Sequence, residues 1–246
     1  MKVENRYIDG TYLEKNPVWD KEDSPWKVKH VNSVLQKFDI KPKSICEIGC
    51  GPGDNLIHIN KIFPTSQLFG FDISPQLRSF WKENIKNNLT NGNLKFCLGD
   101  FHKVNKKKYD LIMMLDVFEH VRDPFTFLEN SIKFATYFIF HIPLDLSAMS
   151  VLRNIPLLDV REKAGHLHYY TKDLALETLK DSGYEILYWK YTQASLSSPN
   201  RSLKTKLMSI PRTIFYSIHK DLGVRLLGGE TLMVLATAKK TLRSLK

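Results

Sequence analysis

At 246 residues the chain can bury one well-formed core and carry an additional segment, and its net charge of +10 is informative only through where the basic residues cluster. Three cysteines, at 46, 50 and 97, are an odd number without zinc-ligand spacing, so a disulfide frame and a structural metal are excluded and a reducing compartment is expected. No apolar run follows Met1-Lys2-Val3-Glu4-Asn5-Arg6, and no stretch approaches the ~20 apolar residues that span a bilayer, so a cytoplasmic chain without signal peptide is expected.

The chain opens with a helical segment over residues 1–40. Asn16-Pro17-Val18-Trp19-Asp20 and Asp23-Ser24-Pro25-Trp26-Lys27 lead into a helix whose inner face is Val28, Val31, Val34, Leu35 and Phe38. Next, Ser44-Ile45-Cys46-Glu47-Ile48 reads as a strand, Gly49-Cys50-Gly51-Pro52-Gly53 as a turn, and Asp54 onward as a helix carrying Leu56, Ile57, Ile59 and Ile62. A strand, a glycine turn and a helix N-terminus make a cradle in which a nucleotide-like ligand approaches the backbone without a Cβ in the way. The G-x-G-x-G spacing, with an acid two residues before it, is tighter than the dinucleotide G-x-G-x-x-G. It resembles motif I of the class I S-adenosylmethionine (SAM)-dependent methyltransferases.

Gln67–Ile73 is the second strand, with an acid at its end, Asp72, that can accept both hydroxyls of a ribose; Ser74-Pro75 then opens a helix to Leu89. Asn91-Gly92 is a turn, and Leu94–Leu98 is a third strand running into Gly99-Asp100-Phe101. Tyr109–Asp116 is apolar almost throughout, as a strand covered on both faces must be. Val117-Phe118-Glu119-His120-Val121 follows, and Asp123-Pro124 starts a helix with Phe125, Leu128 and Ile132. The run from Tyr109 to Asn130, with the preceding elements in this order, resembles the UbiG/UbiE-like small-molecule methyltransferases over about residues 25–190.

Phe134–His141 is a fifth strand, ending at Ile142-Pro143, and Leu144–Tyr170 is a long connection. Thr171 caps a helix with Leu174, Leu176 and Leu179 inward and Gly183 as its stop; Tyr184–Tyr191 is strand six. Strand seven, Glu230–Ala238, comes only after a long insert in which Leu203, Leu207, Ile210, Ile214, Phe215, Ile218 and Leu222 recur at helical spacing among basic residues. That periodicity fits a helical pair packed over the sheet edge or acceptor pocket, and equally an interfacial helix on an anionic membrane.

The resemblance implies an α/β fold: a Rossmann-like seven-stranded sheet of order 3-2-1-4-5-7-6, last strand antiparallel, with helices on both faces. The family joins strands 6 and 7 by a short turn, so the helical insert between them is this chain's own departure. With that insert placed, the resemblance divides the chain into a lid (1–40), a SAM-binding core (41–192), the insert (193–229) and a last strand with basic tail (230–246). It implies SAM as cofactor, held by Glu47, Gly49, Gly51, Gly53, Asp72, Ile73, Asp100, Phe101 and Asp116, with Lys27 a partner for the methionine carboxylate. Methyl transfer from a sulfonium needs alignment and, for a hydroxyl acceptor, a base; His120, His141, His166 and His168 are the candidates, with His141 and His166 ahead.

In UbiG-like ubiquinone O-methyltransferases and small-RNA 3′-end methyltransferases an acid-x-x-Glu-His at this place binds a divalent cation. Here the acid is Asp116, shorter than their Glu, so no metal site is expected, although Asp116, Glu119 and His120 could hold Mg²⁺ or Mn²⁺. The expected activity is methylation, at oxygen, of a small or lipid-like acceptor. An RNA methyltransferase and a non-catalytic scaffold are the alternatives. Nucleic acid is disfavoured because aromatic and basic residues do not interleave. Lys103, Lys106, Lys107 and Lys108 read as a solvated loop, and residues 200–228 as a candidate peripheral contact at the inner face of a membrane.

Overall fold

The computed structural model describes residues 5–19, 21–88, 92–199 and 203–239, the Lys204 side chain excepted. Seven strands form one sheet: β1 (Ser44–Ile48), β2 (Gln67–Asp72), β3 (Leu94–Leu98), β4 (Tyr109–Leu115), β5 (Ala135–Leu144), β6 (Tyr184–Tyr191) and β7 (Glu230–Ala238). Their order is β3-β2-β1-β4-β5-β7-β6, with β7 antiparallel to both of its neighbours and the remaining pairs parallel. The expected fold class holds in each of these respects. The order reverses between β1 and β4, and the crevice at that reversal opens at the carboxyl edge of the strands, where such sheets bind ligands.

Alternation along the strands splits the core into two layers. Phe138, Phe140 and Ile142 of β5 join Leu232, Val234 and Ala236 of β7 on one face; Ile139, Met233 and Leu235 belong to the other. Residues 111–114 of β4 are wholly buried, which accounts for their unbroken apolar run.

The helices are α1 (Asn5–Ile8), α2 (Thr11–Lys15), α3 (Ser24–Lys37), α4 (Asp54–Ile62), α5 (Leu77–Asn87), α6 (Phe101–Val104), α7 (Pro124–Ser131), α8 (Ala148–Arg153), α9 (Ile155–Lys163), α10 (Lys172–Asp181), α11 (Ala194–Ser197), α12 (Leu203–Leu207) and α13 (Ser209–Leu227). Val28, Val31, Val34 and Leu35 bury α3 against the sheet as expected, whereas Phe38 falls past its end and is partly exposed. Asp123 caps α7 through Thr126 N, and Thr171 caps α10 through Leu174 N.

Several sequence expectations are corrected. Strand five continues through Pro143 to Leu144, because β7 pairs with it antiparallel over its whole length. Leu174 points outward while Ala175, Leu176 and Leu179 face the core, since 179 shares a helix face with 175 and 176 at spacings of four and three and 174 lies off it. The connection 144–170 holds two helices, α8 and α9, whose apolar residues are mostly solvent-facing and so carry no core-like periodicity. Helix α13 buries only Tyr216, Gly223 and Val224, and it bends at His219, where φ is −154° and ψ is 97°. The turn residue Asn91, Leu89, the start of the insert at 200–202 and the basic tail from 240 lie outside the described residues.

Candidate active site

Every strand brings its site residue to one edge: the glycine turn after β1, Asp72 at the end of β2, Asp100 after β3, Asp116 after β4, Asp145 after β5, Thr192 after β6, and Glu230 at the start of antiparallel β7. Gly49, Gly51 and Gly53 have φ of 70°, 51° and 92°, a region that side chains with a Cβ rarely adopt. A Cβ on Gly53 would lie 2.3 Å from Phe96 Cζ, so only glycine lets α4 start this close to β3. The turn is tied down by Asp72, whose Oδ2 accepts from Gly51 N at 3.0 Å while Oδ1 accepts from Ser74 N at 3.0 Å. Trp81 Nε1 donates to Gly51 O at 2.8 Å from the other side.

Glu47 is buried, and its Oε1 accepts from Asn55 Nδ2 at 2.7 Å, while Oε2 has no partner among the described residues. Burial pushes its carboxyl up to about 8, against the pull of Asn55 and Lys27. Burial likewise raises Asp72 above the usual carboxylate range, opposed by the backbone N–H groups that it accepts. Ile73 is half-buried beside it. Asp100 caps α6 by accepting from His102 N at 3.0 Å, and the Phe101 ring is buried edge-on against Phe71, which leaves its backbone as the part that a ligand can meet.

Asp116 holds a left-handed φ of 58°, a conformation costing on the order of 1–3 kcal/mol for such a residue, and from it the carboxylate reaches two partners. Lys27 Nζ of α3 sits 2.7 Å from Oδ2, and His141 Nδ1 sits 2.7 Å from Oδ1. Burial works against the charge, but His141 and Lys27 together outweigh it and hold the carboxylate well below its ordinary range. Thr231 Oγ1 lies 2.8 Å from His141 Nε2, and the Thr231 and Thr192 hydroxyls hydrogen-bond to each other. With Nδ1–H given to Asp116 and Nε2 met by a hydroxyl, buried His141 has both ring nitrogens engaged. Lys27, expected near a methionine carboxylate, is here the partner of Asp116.

A second cluster stands beside the first. Glu119, His120 and His166 present ligand atoms within 4.8 Å of one another. Glu119 is fully buried, and neither of its oxygens has a hydrogen-bond partner among the described residues; burial, then the charge on Asp116, drives its carboxyl well up. Burial, reinforced by the His166 ring, pushes His120 down to about 3, so it is a neutral imidazole. His166 Nδ1 is 2.6 Å from Asp145 Oδ2, and its ring meets that of His120 edge-on at 4.7 Å. A carboxylate that accepts Nδ1–H fixes the tautomer and leaves Nε2 as a lone-pair donor. Asp116 belongs to the first network and His166 takes its place in this one. His168 is spent on the Val121 carbonyl at 3.0 Å.

The N-terminal segment closes over both clusters. Tyr7 Oη lies 3.0 Å from His120 Nδ1, Gln76 Nε2 donates to Ile8 O at 2.8 Å, and Arg6 donates from its two terminal nitrogens to the carbonyls of Arg161 and Glu162, each at 3.2 Å. Tyr12 bridges Tyr7 and Trp19, with centroids 4.9 and 4.7 Å away, and Trp19 lies over Gly51. Trp26 of α3 meets the His141 ring at 5.7 Å and donates to Ser197 Oγ at 3.0 Å. Sequence reasoning passed over Tyr7, Asn55, Asp145 and Thr231. Only Asp145 had a usable signal, an acid directly after a strand's carboxyl end.

A family model described as a methyltransferase domain matches residues 27–188. Over 99 residues, 39% of this chain, the sequence is 35% identical to malonyl-[acyl-carrier protein] O-methyltransferase 1 of Ilyobacter polytropus, and the match covers 36% of that protein. Over 152 residues, 57% of this chain, it is 29% identical to N-methyltransferase 4 of Papaver somniferum, covering 42% of it. The chain thus spans less than half the length of these curated relatives. Among solved structures it resembles magnesium protoporphyrin IX methyltransferase of Synechocystis PCC 6803, seen with bound SAH and with bound SAM; the SAH form has a TM-score of 0.60, at 17% identity, and the match covers 87% of this chain and 83% of that one.

Proposed function

The chain belongs to the methyltransferase domain family, and from that membership we propose that it transfers a methyl group from SAM to an oxygen of a small or lipid-like acceptor. The observation that carries the reading is the Gly49–Gly53 turn closing on Asp72 at the reversal point of the sheet, beside a second cluster with a tautomer-fixed histidine. The turn and Asp72 receive the nucleoside part of SAM, with Ile73, Asp100 and the Phe101 backbone around the base. The Asp116–His141–Lys27 network positions the floor of the pocket. The relatives named for O- and N-methylation both fit such a site, and the small-molecule subfamily around UbiG and UbiE is the finer placement that we favour.

SAM supplies the electrophilic methyl, so the chain's own residues need only align the acceptor, exclude water and take a proton. His166 is suited to that last task, with Nδ1–H on Asp145 and Nε2 directed elsewhere. In this reading the lid at residues 1–40, through its described residues 5–19 and 21–40, seals the core at 41–192 and keeps water from the sulfonium. The same reading puts the protein in the cytoplasm, with a peripheral contact through residues 200–228.

A specific observation favours a second reading of the same pocket, a bound divalent cation. Two imidazoles and an orphaned carboxylate, Glu119, His120 and His166, fit such an ion, and the nitrogen-rich set suits Mn²⁺, Fe²⁺ or Zn²⁺ better than Mg²⁺. The ion would lower the pKa of an acceptor hydroxyl. One experiment tests both readings: transfer of labelled methyl from SAM into cell extract split into organic, small-polar and RNA fractions, with and without chelator. Label in either of the first two fractions is expected. Label in RNA alone sinks the acceptor class, and loss with chelator decides for the cation.

A further inference from the structure

Large apolar side chains that face solvent are not spread evenly over this molecule. Leu152 and Ile155 of the α8–α9 pair, with Leu203, Leu207, Ile210 and Ile218 of α12–α13, are each at least 67% exposed. No other large apolar side chain among the described residues outside these four helices exceeds 52%. The four helices adjoin: α8 packs on α13 and leads directly into α9, α12 leads into α13, and Gly228 at the end of α13 lies against Ser147 at the start of α8. An apolar concentration of this kind marks an interaction surface.

Charge selects the occupant. By sequence, residues 200 to 228 carry six Lys or Arg (201, 204, 206, 212, 220 and 225) against the single acid Asp221; Arg212 turns two guanidinium nitrogens inward and Arg225 pairs with Asp173 at 2.6 Å, and the segment still keeps a positive balance, with Arg153 standing between Leu152 and Ile155. A second copy of the chain would bring the same positive charges face to face, which opposes pairing. An anionic bilayer offers both an apolar layer and opposite charge. No helix among the described residues is long and apolar enough to cross a membrane, so the contact is one that lies on the surface.

We infer that α8–α9 and α12–α13 together form one docking face for an anionic lipid bilayer, with their aliphatic side chains entering the headgroup layer. The inference rests on the peripheral placement proposed above and widens it from the segment 200–228 to a surface shared with 148–158. It places the bilayer next to the carboxyl edge, because α8 follows Asp145 and α13 precedes Glu230. It does not depend on what the acceptor is.

The test is flotation of the full chain with vesicles of phosphatidylcholine alone and of phosphatidylcholine with phosphatidylglycerol, without SAM. Two variants accompany it, Leu152→Glu/Ile155→Glu and Leu207→Glu/Ile218→Glu, each checked for an unchanged melting temperature and SAM affinity. Binding only to the anionic vesicles, weakened about tenfold or more by each pair, is the expected result. Loss with the second pair alone would overturn the shared face while leaving the contact at 200–228. Equal binding to neutral vesicles, or none to either, would overturn the lipid assignment. A wild-type dimer in solution that the variants convert to monomer would give the face to a second copy. In every one of these cases SAM binding reports separately on the methyltransferase reading.

Discussion

Asp145 Oδ2 stands 2.6 Å from His166 Nδ1 across 21 positions of sequence, and this contact sets which nitrogen of His166 is left free of the carboxylate. His141 has the same kind of carboxylate partner in Asp116 but a hydroxyl on its second nitrogen. The two histidines, alike in sequence, are therefore different tools.

His166→Asn is expected to lower kcat by about 10²–10⁴-fold with SAM affinity unchanged. Asp145→Asn is expected to lower kcat in part and leave KM for the acceptor near its original value, because it disturbs the tautomer and not the binding surface. Single-turnover kinetics beside calorimetric titration of SAM separates these effects. Equal losses in SAM affinity would return both residues to a structural role.

Asp72→Asn is expected to weaken SAM binding by about 2 kcal/mol or more, roughly thirtyfold in Kd, since a charged acceptor is lost to the ribose. The amide oxygen can still accept from one of Gly51 N and Ser74 N, so the fold is retained. A drop in melting temperature with unchanged Kd would confine Asp72 to holding the glycine turn.

Asp116→Asn is expected to destabilise the protein by about 3–5 kcal/mol, because Lys27, mostly buried, loses its carboxylate partner at 2.7 Å. Lys27→Met keeps the stem and leaves Asp116 paired with His141, and it is expected to cost clearly less. Denaturant midpoints for the two variants and their double mutant give the coupling directly.

Burial pushes Glu47 up to about 8 and Glu230 up to about 7, both from 4.5. Each carboxyl binds its proton more tightly folded than unfolded. Its contribution to stability is complete below about pH 4.5 and is lost as the pH rises through 7 and 8. The unliganded protein is expected to be more stable near pH 5 than near pH 9, and Glu47→Gln to flatten the upper part of that slope. Urea midpoints across the range check it; a slope unchanged by Glu47→Gln removes Glu47 as its source.

The sheet was legible because each strand carries its own evidence: the buried run of β4, the glycine turn after β1, the acid ending β2. The residues gathered at the carboxyl edge, Asp72, Asp100 and Asp116 among them, were legible for the same reason, standing next to strand ends. What lay hidden came from pairing at long range. Tyr7 reaches His120 across 113 positions and Thr231 reaches His141 across 90, and no local pattern encodes either. Helices α8 and α9 were missed for a different cause. Periodicity reports a face turned to the core, and theirs turns to solvent.

The clasp of the N-terminal segment has one more property. Arg6 grips the carbonyls of Arg161 and Glu162, Asn16 that of Lys163, and Tyr7 that of Ala164; among these contacts to the end of α9 and the residue after it only Lys15 to Glu162 joins two side chains. A latch that engages mostly main chain is nearly indifferent to the letters written on α9. Apart from Glu162, its outward side chains can be exchanged, retuning what that flank of the molecule touches, while the N-terminal segment keeps its seat.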